Sequence, residues 1–65
     1  MTEGEFRVLL KIKGQRLVVT QLTEESPYYI GMIIDTKTLQ PVLYAAGKTY
    51  TATVKETIKR YYADT

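Results

Sequence analysis

The sequence predicts an α+β domain: a four-stranded antiparallel sheet built from two hairpins, with one C-terminal helix packed on one face. Three observations carry this reading. Apolar and polar side chains alternate on either side of Gly14 between Phe6 and Leu22, two further β-rich runs follow, and the last dozen residues switch to a helical period. Sixty-five residues make a single small ββββα domain over 1–65.

The first hairpin is read from FRVLLKIKGQRLVVTQL. Phe6, Val8, Leu10 and Ile12 alternate with Arg7, Leu9, Lys11 and Lys13, the period of a half-buried strand. Gly14-Gln15 suits a two-residue type II′ turn, which needs glycine at its first position. Leu17 and Val19 then face Ile12 and Leu10, so one face gathers Phe6, Val8, Leu10, Ile12, Leu17 and Val19.

TEESP is a polar break, and YYIGMIID reads as a third strand with Tyr28, Ile30, Met32 and Ile34 on one face. Tyr29, Gly31, Ile33 and Asp35 lie on the other, and Tyr28 is expected in the core. Asp35 opens a turn by bonding the backbone two residues on. Pro41 cannot donate to a ladder, so it belongs at the start of a strand or on an edge. VLYAA is the fourth strand, ended by Gly47.

Thr53-Val54-Lys55-Glu56 fits a capping box at the start of the helix. Val54, Thr57, Ile58, Tyr61 and Tyr62 fall on its apolar side, with Lys55, Glu56, Lys59 and Arg60 opposite. Tyr61 is central to that stripe and reads as core. Tyr62 sits at its edge, where a hydroxyl reaches water.

Composition narrows the function classes. There is no cysteine and no histidine, which removes disulfides, thiol nucleophiles, the commonest general base and the commonest transition-metal ligand. No glycine-rich phosphate loop or converging carboxylate pair appears. A non-enzymatic chain is expected, with no cofactor, metal or small-molecule substrate. The N-terminus is acidic and no apolar run is long enough to span a membrane, so a soluble cytoplasmic protein is expected.

Two surfaces remain. The side of the sheet that a single helix leaves uncovered is expected to carry Leu9, Val18, Leu22, Tyr29 and Ile33, an apolar patch suited to a protein partner or a second copy in a homodimer. Among them lie Arg7, Lys11, Lys13 and Arg16, while Glu3, Glu5, Glu24 and Glu25 gather at the hairpin's open end. These four cations, with Lys55, Lys59, Arg60 and Tyr62 on the helix, are the candidates for a nucleic-acid surface. The overall charge of +2 is weak for that role. An interaction module binding protein through the sheet face is therefore the first expectation, and nucleic-acid binding the alternative.

Overall fold

The first element is a helix. In the computed structural model, which describes residues 1–63, α1 spans Glu3–Ile12, where the alternation predicts a strand. Thr2 caps it: its Oγ1 accepts the Glu5 N–H at 3.2 Å, and the Glu5 carboxylate accepts the Thr2 N–H at 3.0 Å. This reciprocal pair satisfies two amide donors at a helix start that has no intrahelical partners for them. It also holds the Glu5 carboxyl below the usual range, because the charged form accepts the bond from the Thr2 backbone.

Gly14 ends the helix. Its φ of +72° is open to glycine at little cost, and its N–H donates to the Lys11 carbonyl at 3.1 Å. The same left-handed glycine would serve a hairpin or a helix stop, and here it serves the stop. Along α1 the buried residues are Phe6 and Leu10, at the i and i+4 spacing of one helical face. Val8 and Ile12, their expected companions on a strand, are 62% and 82% exposed.

Three strands follow: β1 Gln15–Gln21, β2 Tyr29–Asp35 and β3 Pro41–Gly47, antiparallel in the order β1-β2-β3. Among the described residues the sheet therefore has three strands rather than four, and two helices accompany it. Asp35 makes the expected turn, its carboxylate accepting from the N–H groups of Lys37 (2.8 Å) and Thr38 (3.0 Å). Leu39 occupies the positive-φ position of that turn. Tyr28 precedes β2 and is 46% exposed, so it is not core.

α2 spans Tyr50–Ala63 and begins one turn earlier than the sequence predicts. Thr49 Oγ1 accepts the Ala52 N–H at 3.0 Å, the geometry of a cap. Thr53, the expected cap, lies inside the helix with its hydroxyl donating to the Thr49 carbonyl at 2.7 Å.

Both helices lie on one side of the sheet. Phe6 and Leu10 of α1, Tyr61 of α2 and the strand residues Leu17 and Ile33 form one buried cluster, with Leu9, Val19, Leu43 and Ile58 packed against it. Phe6 and Tyr61 meet edge to face at 5.4 Å between ring centroids. Small residues let α2 close on the sheet. A Cβ at Gly31 would run into Thr57 Oγ1 and come within 3.1 Å of Thr53 Cγ2, and one at Gly47 would come within 2.8 Å of the Thr53 amide nitrogen. Both threonines are fully buried, and each donates its hydroxyl to the carbonyl four residues back.

Gly31→Ala is therefore expected to destabilise the fold by about 1–3 kcal/mol, as overpacking does. Adding Thr57→Ala removes the obstructing hydroxyl and should recover part of that loss. Urea denaturation of the single and double variants measures this coupling, and strict additivity would contradict the close approach.

Candidate interaction surface

Register decides which side chains the helices leave uncovered. Leu17 pairs with Ile33, which pairs with Leu43; Val19 pairs with Gly31, which pairs with Ala45. Directly paired residues share a face, so these two rows lie under the helices. The alternate residues lie on the opposite side. There Val18 pairs with Met32 and Met32 with Tyr44, while Thr20 pairs with Ile30 and Ile30 with Ala46. Arg16 stands beside Ile34 at one end of this face.

The uncovered face is thus almost wholly apolar. Val18, Ile30, Met32 and Ile34 are half-buried by their neighbours within the sheet, and Tyr44 is 54% exposed. A register irregularity between Ile33 and Ile34 places Val42 in the bulged part of β3, where it is 49% exposed. None of these residues belongs to the buried cluster. The stripe of valine, isoleucine, methionine and tyrosine has Arg16 at one end and Arg60 beside Ile30, Tyr44 and Ala46 at the β3 edge.

Of the residues expected on the open face, only Val18 lies at its centre. Ile33 is fully buried beneath the helices and is corrected to core. Leu9 sits on α1 and packs against the core. Tyr29 is on the helix side of β2, where its ring meets Tyr50 at 6.4 Å. Leu22 follows β1, 55% exposed. The sequence pattern puts Ile30, Met32 and Ile34 on the core face and gives Val42 and Tyr44 no face. The sequence groups Ile30, Met32 and Ile34 correctly, but β2 is apolar on both sides, so its pattern does not say which side faces α2.

The two outer strands are each held by an arginine from a helix. Arg7 Nη1 donates to the Leu17 carbonyl on β1 at 2.8 Å, and Arg60 Nη1 donates to the Tyr44 carbonyl on β3 at 3.2 Å. Occupying a central carbonyl on each outer strand blunts both edges as templates for another strand. Arg7 is further tied to Glu3 at 2.8 Å and to the Tyr50 hydroxyl at 3.3 Å. Bonds from Tyr50 and Arg7 hold the Glu3 carboxyl below its ordinary range. Partial burial works to lower the Arg7 pKa, and the bonds to Glu3 and Tyr50 outweigh it and raise the value.

The basic candidates divide. Arg7, Lys11 and Arg16 line one groove of about 270 Å³ between α1 and the start of β1, with Gln15, Leu17 and Thr36. Lys13 instead lies over the Tyr61 ring, 5.4 Å from its centroid. Lys55, Lys59 and Arg60 are exposed on α2, where Arg60 pairs with Glu56 at 3.4 Å and reaches β3, the edge opposite Arg7 and Arg16. Tyr62 is 42% exposed, and its ring packs on Phe6 and Tyr61.

The charge segregation expected along the first hairpin survives in part, since Glu3 and Glu5 lie on α1 and Glu3 pairs with Arg7. Lys11, Lys13 and Arg16 cluster around the α1–β1 junction, and Lys37 joins them from the adjacent turn, because Thr36 donates both its N–H and its hydroxyl to the Gly14 carbonyl. Glu24 and Glu25 sit in the β1–β2 loop at the other end of the strands. No helix among the described residues is long and apolar enough to cross a membrane. No family model, curated protein or solved structure matches the chain.

Proposed function

We propose that this protein is a non-enzymatic interaction module that binds protein through the uncovered face of its sheet. The observation that supports this most strongly is the row Val18–Met32–Tyr44 with Ile30, Ile34 and Val42 beside it. Both helices lie on the other side, so the fold leaves this apolar surface in water unless a partner covers it. The arginines on both outer strands favour face docking over strand addition.

A nucleic-acid surface is the second reading, and its support is the gathering of Arg7, Lys11 and Arg16 around one groove. Much of Arg7 is already engaged within the fold, which leaves Lys11 and Arg16 to carry it. Affinity capture from a lysate of the source cells tests both. A protein retained by the wild type should be lost with Met32→Glu or Tyr44→Glu and retained with Lys11→Glu. Capture of nucleic acid, weakening steeply with salt and abolished by Lys11→Glu with Arg16→Glu, would move the function to the groove.

A further inference from the structure

We infer that the occupant of the open sheet face is a second copy of this chain, docked face to face with its strands running antiparallel to those of the first. The inference rests on the reading of that face as a protein interface and names its partner.

Geometry makes the face self-complementary. Val18, Met32 and Tyr44 are the middle residues of β1, β2 and β3, and the register sets them in one row across the sheet. A two-fold axis along that row lays each strand over its own copy in the opposite direction. Met32 then meets Met32 at the centre, flanked by Val18 against Val18 and Tyr44 against Tyr44, an isologous contact. Ile34 of one copy falls over Ile30 of the other. Methionine at the centre suits such a contact because its unbranched side chain adapts to the facing surface.

Charge selects this direction. By register Arg16 belongs to the open face at the basic end of β1, an edge strand from which its side chain also borders the α1 groove, and no ion pair among the described residues engages it. Reversing β1 over its own copy lays Arg16 over the second copy's Thr20, at the end where the β1–β2 loop carries Glu24 and Glu25. The two-fold makes this pairing twice. With the axis turned to run along the strands, β1 would lie over β3, and the ends that carry Arg16 and Lys37 would fall together, with Asp35 offsetting only part of their charge. Only the weaker pairing of Lys48 with the acidic loop would compensate there.

Area fits a reversible dimer. Three seven-residue strands make a face of roughly 24 Å by 14 Å, so two copies bury on the order of 1,000 Å² once side-chain relief is included. That is the lower bound of specific interfaces. A chain of this size without disulfides also has oligomerisation as its remaining reinforcement.

Sedimentation equilibrium of the full chain, from about 5 μM to about 1 mM, tests the inference. A monomer–dimer equilibrium is expected, abolished by Met32→Glu and by Tyr44→Glu, with circular dichroism confirming that each variant stays folded. Tyr44, already more than half exposed, tolerates charge in the monomer even if Met32 does not. Arg16→Glu should weaken the dimer about tenfold, and Glu24→Lys with Glu25→Lys in the same chain should restore it. A wild type monomeric at 1 mM overturns the inference. So does a dimer indifferent to Met32→Glu and Tyr44→Glu, or one weakened by Lys48→Glu and not by Arg16→Glu. A monomeric wild type that still captures a protein lost with Tyr44→Glu would leave the interaction reading standing with a different partner. Loss of both would remove that reading as well.

Discussion

Phe6→Ala is expected to cost about 3–5 kcal/mol, the range for emptying a fully buried aromatic site. Phe6 has no exposed surface, and its ring packs on Tyr61 while its neighbours in the cluster come from both helices and two strands. Domains of this length hold about 3–10 kcal/mol in all, so the variant should be largely unfolded or close to it in water. Val8→Ala is the control, because Val8 shares the period-two pattern with Phe6 but is 62% exposed on α1. Its cost should stay within about 0.5 kcal/mol. Urea denaturation followed by far-ultraviolet circular dichroism measures both. Similar losses at the two positions would mean that residues 3–12 bury a strand face and not a helix face.

Tyr61→Ala is expected to cost a similar 3–5 kcal/mol, and Tyr62→Ala about 1 kcal/mol or less. Tyr61 is 8% exposed, contacts Phe6, and donates its hydroxyl to Gln15 Oε1 at 2.7 Å, so truncation empties part of the core and removes a link from α2 to the start of β1. The Lys13 ammonium also loses the ring beneath it. Tyr62 lies on the outside of the same pair, 42% exposed. Midpoint shifts in urea separate the two substitutions, and equal shifts would misplace the buried face of α2.

Much of the second half of the chain is legible without coordinates. The Asp35 turn, Pro41 at the first position of β3, Gly47 at its end and the apolar stripe of α2 centred on Tyr61 all arise from local rules, and all are present. The first helix was legible too, but against competing evidence. Thr2 and Glu5 have capping-box spacing, and Gly14 is a ready helix stop. Phe6, Leu9 and Leu10 also satisfy a helical period as well as Phe6, Val8, Leu10 and Ile12 satisfy a strand period. Ten residues with apolar side chains at both spacings do not discriminate; the terminal signals do.

The open face shows a different limit. That an α+β sheet of this size leaves one side uncovered follows from having too little helix to cover both. Which residues stand there does not follow, because YIGMII is apolar on both of its faces and either could lie inward. Gly31 breaks that tie only in three dimensions, since its missing side chain is what admits Thr53 and Thr57 of α2. With Gly31 inward, Ile33 must also be inward, and Ile30, Met32 and Ile34 must face away.

What the chain determines by itself is therefore its local grammar: the positions of three strands, a C-terminal amphipathic helix, the turns at Asp35 and Gly14, and the absence of cysteine and histidine chemistry. Tertiary structure alone decided that both helices share one side of the sheet and that the row Val18–Met32–Tyr44 faces outward. The physical reason is that these choices are set by packing against distant residues, Phe6 on Tyr61 and Gly31 under Thr57, and by no preference within each segment.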